Sequence, residues 1–185
     1  ATITQQILDH PSCTDVHIRI VSKDKDLEQL LCDRVTMFDI HTGTTTDVDT
    51  LLENKGIKPH QVVDVLALMG DKVDNVPGVE GIGPKTAAQL VNQFGSIEDV
   101  FANIDQIKGK RRANLEKAQE HLPLSKTLVT LKCDAEIDFS LKRARVKPID
   151  RNRLLPIFQE LDFDRFQREI TALVDGDEIL SRPEL

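Results

Sequence analysis

Residues 70–84 constrain the fold of this chain more strongly than any other segment. The run GDKVDNVPGVEGIGP contains four glycines and two prolines, and such a composition predicts a loop rather than a helix or a strand. Helical apolar patterns flank this loop on both sides, up to Met69 and from Lys85 onward. The sequence therefore predicts two helices joined by a closely specified turn.

The end of this loop has the pattern of a phosphate-binding hairpin. Gly81 and Gly83 flank Ile82 immediately before a helix that begins at Pro84. Missing side chains let a phosphate approach the backbone, and the first amides of a helix are unpaired. With Lys85 adding positive charge, the pattern indicates a helix-hairpin-helix, which grips the sugar-phosphate backbone without reading bases. The alternative is a plain glycine-rich loop. A dinucleotide-binding turn is excluded, because no third glycine or ribose-binding acid follows.

The charge distribution agrees with a nucleic-acid partner although the net charge is −7. Residues 81–132 carry eight Lys and Arg against five Asp and Glu, whereas residues 1–80 carry seven against fourteen. A basic helix is predicted over residues 108–120, and its cations would hold further phosphates; they are Lys108, Lys110, Arg111 and Arg112. The alternative is a solvated charged face. Trp and Tyr are absent, which disfavours an aromatic platform for single-stranded bases.

Two pairs of aspartates are candidate ligands for a divalent cation. Asp24 and Asp26 follow a predicted strand, where residues i and i+2 point to the same side. Asp71 and Asp74 follow an apolar helix at a spacing that shares a face in a helical turn. Carboxylates without neighbouring His or Cys favour Mg²⁺ or Mn²⁺ over zinc. The structural alternative is that Asp26 forms a capping box with Gln29 and that Asp74 belongs to an ordinary turn.

The remaining patterns predict two strands, over residues 17–21 and 35–40, and eight or nine helices. Two strands cannot form an independent sheet, so we expect a small remnant covered by helices or paired with further strands. The chain begins with Ala1 rather than Met, and we expect it to be a segment of a longer protein. No apolar run has the length of a membrane span. Three dispersed cysteines without a C-x-x-C spacing favour a reduced, cytoplasmic setting.

Three motifs resemble the 5′-nuclease domain of bacterial DNA polymerases I, whose wider family includes the flap endonucleases. The motifs are SKDKDL at 22–27, GDKVDNVPGV at 70–79 and GIGPKTA at 81–87. They occur in the order of the family, and the similarity extends over about residues 15–175. The resemblance implies a mostly helical α/β fold, the C-terminal half of a PIN-like 5′-nuclease core with a helix-hairpin-helix of the H3TH type.

The resemblance also implies how the chain is divided. Residues 1–76 would form a partial nuclease core with metal-binding acids, and residues 77–132 the duplex-binding module. Residues 133–175 would be C-terminal helices packing on the core, and residues 176–185 the start of a linker.

The activity implied by the resemblance is the removal of 5′ flaps and RNA primers during DNA replication and repair. Duplex or 5′-flap DNA would be the partner. Two divalent metals, Mg²⁺ or Mn²⁺, would be held in part by Asp24, Asp26, Asp71 and Asp74, with a monovalent cation at the hairpin. The DNA contacts would be Gly81, Ile82, Gly83, Lys85, Thr86, Lys108, Lys110, Arg111 and Arg112.

Family members carry further acids and a basic arch on the N-terminal side of this region. We therefore expect the two-metal site to be incomplete in this chain, which would not cleave DNA alone, and any polymerase part to lie beyond Leu185. Two alternatives stay open at this point. One is a helix-hairpin-helix module that binds DNA without catalysis, and the other is a metal-dependent ribonuclease of the PIN type.

Overall fold

The computed structural model describes residues 1–175, which divide into two compact units. One unit comprises residues 1–138, and the other begins at Phe139. The predicted linker start at residues 176–185 lies outside the described residues. In the described part of the chain, no helix is both long and apolar enough to cross a membrane.

The described residues of the first unit contain one three-stranded sheet. Strand β1 (Ile18–Val21) pairs in parallel with β2 (Val35–Asp39), and β2 pairs in antiparallel with β3 (Thr44–Thr46). The two predicted strands are confirmed, but the sheet has a third member. Strand β3 consists of three consecutive threonines, so it shows none of the apolar alternation by which a strand is recognised in a sequence.

The helices of the first unit follow the local signals closely, and two of them begin at a side-chain cap. Asp47 accepts a hydrogen bond from Thr50 N, and Ser96 accepts one from Asp99 N, as expected of N-cap residues. The helices are α1 (Thr2–Asp9), α2 (Val48–Lys55), α3 (Val62–Met69), α4 (Pro84–Phe94), α5 (Ile97–Ala102), α6 (Gly109–Ala118) and α7 (Leu122–Val129).

The segment that follows Asp24 forms a 3₁₀ helix, Lys25–Leu30. The predicted capping box of Asp26 with Gln29 is wrong. Asp24 is the cap, and its carboxylate accepts a hydrogen bond from Asp26 N at 3.1 Å. The Gln29 side chain turns to α7 instead, where its Nε2 donates to Val129 O at 2.7 Å. The Gln29 side chain, which local spacing assigned to a capping box, therefore makes a tertiary contact with α7 instead.

Helix α3 lies at the centre of the first unit and packs against α4, α7 and the 3₁₀ helix Lys25–Leu30. It is buried on nearly every side, as expected of a helix that is apolar all round. Its one acid, Asp64, is buried and ion-paired, with Lys126 Nζ of α7 lying 2.8 Å from Asp64 Oδ1. Lys126 also reaches Glu98 of α5 at 2.8 Å. Lys126 thereby joins α3 to α5 and α7.

The second unit contains the predicted C-terminal helices. Helix α8 (Leu141–Ala144) is a single turn that the sequence patterns did not indicate, whereas α9 (Arg151–Glu160) and α10 (Asp164–Asp175) confirm the prediction. The rings of Phe158, Phe163 and Phe166 have centroid separations of 5.6 to 6.4 Å. This aromatic cluster holds α9 and α10 together.

Candidate functional site

The loop between α3 and α4 (residues 70–83) folds back on itself through two glycines. Asp71 and Val76 exchange backbone hydrogen bonds of 3.0 and 2.7 Å, which close the turn. A Cβ at Gly70 would lie 2.5 Å from Gly78 N, and a Cβ at Gly78 would collide with the backbone of Gly70. Sequence reasoning missed this pair of glycines, although their positions at the two ends of a turn-rich run were the available signal.

Gly81 and Gly83, the two glycines of the predicted phosphate-binding hairpin, have different roles in the fold. Gly81 has φ +75°, a left-handed conformation that favours glycine. Gly83 has φ −96°, and no heavy atom of the described residues lies within 4 Å of the position of a Cβ there. The fold therefore does not require a glycine at Gly83. Its missing side chain leaves the start of α4 open to approach from solvent.

Ile82, between these glycines, is predicted to contact DNA but has a buried side chain. It is 5% exposed and belongs to the hydrophobic core. Its backbone N–H donates to Val79 O at 3.0 Å, so the predicted DNA contact of Ile82 is not made by this amide. The apolar side chain anchors the hairpin while the flanking glycines stay at the surface.

A cavity of about 140 Å³ brings the hairpin together with the basic helix α6. Two of the predicted cations, Lys110 and Arg111, face the hairpin across it, and both are exposed. Lys110 Nζ lies 3.9 Å from Glu80 Oε1, and both side chains are largely exposed to solvent. The cavity is lined by Glu80, Gly81, Ile82, Lys110, Arg111 and Asn114.

The other predicted cations of this region are placed differently. Arg112 is already paired, with its guanidinium 2.9 Å from Asp105 Oδ1 and 2.7 Å from Glu116 Oε1. The hydrogen bond from Arg112 to Glu116 is the main cause of a raised Arg112 pKa. Lys108 is the exposed N-cap residue of α6. Of the four predicted cations, Arg112 is therefore the least available to a phosphate.

Lys85 does not line that cavity. It lines a second, largely apolar cavity of about 250 Å³, together with Lys25 and Lys55. Thr86 follows Lys85 in the first turn of α4 and is half-buried. The structure thus divides the predicted hairpin contacts between two cavities, and Lys85 faces the one that Lys25 shares.

Asp26 carries the clearest electrostatic signature among the four aspartates. Its Oδ1 is buried and has no hydrogen-bond partner among the described residues. Burial raises the pKa of the Asp26 carboxyl above its ordinary value. The negative charges of Asp24, Asp71 and Asp74 raise that pKa further, and the Lys25 ammonium lowers it. The two predicted pairs therefore lie close enough to act on one another.

Asp71 is buried and held by two partners. Its Oδ1 accepts a hydrogen bond from Val73 N at 2.8 Å, and its Oδ2 lies 2.6 Å from Lys25 Nζ. The hydrogen bond from Lys25 is the main cause of a lowered Asp71 pKa. Sequence reasoning missed Lys25, and its position between two candidate ligands was the only signal.

Asp24 and Asp74 are exposed, and Asp24 serves as a cap. No group of three or more His, Cys, Asp or Glu side chains is arranged to hold a metal ion within residues 1–175. An unpartnered, buried carboxylate oxygen amid other acids is nevertheless suited to a cation. The residues present thus fit part of a divalent-cation site, centred on Asp26 and Asp71, rather than a closed set of ligands.

Comparison with known sequences identifies the relatives of this chain. Residues 57–152 match the family described as "5'-3' exonuclease, C-terminal SAM fold". DNA polymerase I of Bacillus caldotenax is 41% identical over 161 residues, covering 84% of this chain and 18% of that protein. A 5'-3' exonuclease of Aquifex aeolicus is 35% identical over 156 residues, covering 84% of this chain and 53% of that protein. The chain thus spans about half or less of the length of these relatives.

Solved structures of T5 proteins share the fold. A T5 5'-exonuclease with divalent metal ions (zinc) bound has a TM-score of 0.59 and 30% identity, covering 69% of this chain and 48% of that one. A bacteriophage T5 flap endonuclease in complex with DNA and metal ions has the same TM-score, with 29% identity and the same coverage. These likenesses confirm the predicted fold class, a mostly helical part of a 5′-nuclease core.

Proposed function

Because the chain belongs to the 5'-3' exonuclease family, we propose that it is the part of such an enzyme that binds duplex DNA and supplies acids to its metal site. The reaction is hydrolysis of phosphodiester bonds at the 5′ end or 5′ flap of a strand, in DNA replication and repair. The chain binds the sugar-phosphate backbone and places it beside the carboxylates.

One observation carries this proposal. The loop formed by residues 70–83 holds an acid of the cluster, Asp71, at its first end and the cavity-lining Gly81 near its last end. The close approach of Gly70 and Gly78 closes the loop between these two points. A DNA backbone bound at the hairpin is therefore held by the same short segment that positions Asp71.

DNA binding in this proposal uses backbone amides and cations and does not read bases. The amides of Gly81 and Gly83 face a phosphate at the start of α4, and Lys110 and Arg111 supply charge across the cavity of about 140 Å³. Lys85 holds a neighbouring phosphate on the side nearer the acids. The proposal also includes a monovalent cation at the hairpin. The T5 flap endonuclease solved with DNA supports this assignment.

The metal site of this proposal uses Asp26 and Asp71 as inner ligands, with Asp24 and Asp74 at its exposed edge. A bound Mg²⁺ or Mn²⁺ pair supplies activation of water and charge stabilisation at the leaving oxygen. The protein contributes an acceptor oxygen with no competing donor, on Asp26, and an ionised carboxylate, on Asp71. The T5 5'-exonuclease with divalent metal ions bound supports the choice of cation class.

The proposal is tested by titrating a fluorescent duplex with the chain at several salt concentrations. Each lost phosphate contact lowers the slope of log affinity against log salt by about one. Lys110→Ala and Arg111→Ala are expected to show this loss, whereas Lys132→Ala, an exposed lysine outside both cavities, retains the slope. Failure of the unaltered chain to bind duplex DNA would overturn the proposal.

A second function, DNA binding without catalysis, is favoured by one specific observation. The part of the chain that the structure describes contains no group of three acids, His or Cys arranged to hold a metal. Cleavage of a 5′ flap by the intact protein, lost in Asp71→Asn while duplex binding persists, decides for the nuclease. Duplex binding without any flap cleavage by the intact protein decides for the binding module.

A further inference from the structure

Three polar side chains of α6 and α7 hold the backbone of the hairpin. They belong to Asn114, His121 and Ser125, and each engages a different carbonyl of the segment 77–80. The distances are 2.5 Å from Ser125 Oγ to Pro77 O, 3.2 Å from His121 Nε2 to Gly78 O and 2.8 Å from Asn114 Nδ2 to Glu80 O.

The burial of these side chains argues against an incidental arrangement. Ser125 is 0% exposed and Asn114 is 7% exposed, and buried polar groups are nearly always paired. A serine within a helix ordinarily bonds to the carbonyl four residues earlier. Ser125 Oγ lies 3.3 Å from that carbonyl, of His121, and closer to Pro77 O. Its stronger partner is therefore the hairpin, 48 residues away in the sequence.

A held carbonyl also orients the amide that follows it. The peptide unit is planar, so the C=O of one residue fixes the direction of the N–H of the next. The bond from Asn114 to Glu80 O thus orients the N–H of Gly81, which lines the cavity beside Lys110. Ser125 and His121 orient the two peptide units that lead into the hairpin.

We propose that Asn114, His121 and Ser125 are positioning residues for DNA-backbone binding. They hold the hairpin carbonyls so that the Gly81 amide is already oriented before DNA arrives, while the Ile82 amide donates to Val79 O within the hairpin. Preorganisation of this kind raises affinity by removing the ordering cost from the binding step. The inference rests on the proposed function, because orientation of the hairpin amides affects binding only if the chain binds a phosphate backbone.

The sharpest test compares Ser125→Ala with Ser96→Ala in the 185-residue chain. Ser125 is fully buried and cannot touch DNA, so any loss of affinity in Ser125→Ala is transmitted through the hairpin. Ser96 caps α5 and provides a matched loss of melting temperature without contact to residues 77–80. Duplex affinity, its salt slope and amide hydrogen exchange in the hairpin are measured for both variants.

We expect Ser125→Ala to weaken duplex binding about three- to tenfold, the range of one lost buried hydrogen bond. The salt slope stays unchanged, because no cation is removed. Exchange of the Ile82 amide, which donates to Val79 O within the hairpin, becomes faster than in Ser96→Ala. Equal affinity and equal exchange in the two variants would overturn the inference. Absence of duplex binding by the unaltered chain would instead overturn the proposed function.

A second pair of variants keeps the test decisive if Ser125→Ala does not fold. Asn114→Ala removes the bond to Glu80 O, and Lys110→Ala removes a charge from the same cavity. Positioning requires that Asn114→Ala weaken binding at an unchanged salt slope, whereas Lys110→Ala weakens binding and lowers the slope. Unaltered affinity in Asn114→Ala contradicts the positioning role.

Discussion

Lys25 Nζ lies 2.6 Å from Asp71 Oδ2, so an ammonium group of the chain itself contacts an aspartate that the motifs mark as a metal ligand. Lys25 stands between Asp24 and Asp26, in the 3₁₀ helix that follows β1. The ion pair joins that helix to the loop formed by residues 70–83. In the absence of a metal it offsets part of the negative charge of the four aspartates, and a divalent cation at Asp71 has to compete with it.

Removal of this ammonium tests the competition. Lys25→Met is expected to bind Mn²⁺ several-fold more tightly than the unaltered chain. It is also expected to lose up to about 1 kcal/mol of metal-free stability, since partly exposed ion pairs contribute little. Calorimetric Mn²⁺ titration and urea denaturation measure the two effects. Lys23→Met, which removes an exposed charge from the same segment, is the control. Weaker Mn²⁺ binding in Lys25→Met would show that Lys25 supports the site rather than competing for it.

Asp26→Asn separates a metal ligand from a structural residue. The raised pKa of Asp26 means that the neutral carboxyl contributes stability at low pH, and this is lost as the pH rises through that pKa. The asparagine variant avoids the loss, so we expect its metal-free melting temperature to rise by about 2–4 °C at pH 7 for about 1 kcal/mol. The gain shrinks as the pH falls through the raised pKa of Asp26, because the carboxyl of the unaltered chain becomes neutral there.

Asp24→Asn is the matched control for that experiment. Asparagine is as good an N-cap as aspartate, so the 3₁₀ helix keeps its cap and the melting temperature changes little. Thermal melts of both variants, with and without Mn²⁺, give the comparison. A fall in the metal-free melting temperature of Asp26→Asn would assign Asp26 a structural role.

Gly78→Ala and Gly83→Ala are expected to have opposite consequences. A Cβ at Gly78 meets the backbone of Gly70, so the alanine destabilises the fold by about 1–3 kcal/mol. A Cβ at Gly83 meets no heavy atom of the described residues within 4 Å, and stability changes by less than about 0.5 kcal/mol. Duplex affinity nevertheless falls in Gly83→Ala, because the methyl group blocks the amides at the start of α4. Urea denaturation and fluorescence anisotropy measure the pair, and unchanged affinity in Gly83→Ala would remove that residue from the interface.

Arg111→Ala and Arg112→Ala are expected to differ although the residues are adjacent. Arg111 is exposed beside the hairpin cavity, so its loss lowers the salt slope of duplex binding by about one. Arg112 is paired with Asp105 and Glu116, and its replacement leaves the slope nearly unchanged. Anisotropy titrations at three or more salt concentrations give the slopes. A larger slope change for Arg112→Ala would mean that those ion pairs open when DNA binds.

The 185-residue chain by itself is expected not to cleave a 5′ flap in Mg²⁺. The acids within its described residues lie near one another but form no group of three arranged around a metal position. A gel assay with a labelled flap substrate measures the activity. Robust cleavage by the pure chain, abolished in Asp71→Ala, would show that its own acids suffice.

Much of the secondary structure could be predicted because its causes are local. Helix α2 begins after Asp47, which caps it, and ends at Gly56 in a left-handed conformation, and both signals are visible in the sequence. The start of α4 at Pro84 follows in the same way from the fixed φ of proline. Strand β3 was not predicted, because three threonines show no alternation of apolar and polar residues. These residues form a strand only through their pairing with β2.

The candidate site was predictable in composition and only partly in arrangement. Sequence patterns supplied the candidate residues for the chemistry: two aspartate pairs, a glycine hairpin and a run of cations. Three contacts of the site depend on tertiary structure alone. Lys25 pairs with Asp71, Arg112 is already ion-paired with Asp105, and the Gln29 side chain bonds to α7 rather than to Asp26. Tertiary structure alone also decided that Gly70 must meet Gly78 and that Ser125 holds Pro77 O. The physical reason is that caps and turns depend on neighbours within a few residues, whereas ion pairs and buried hydrogen bonds depend on side chains that only packing of the whole unit brings together.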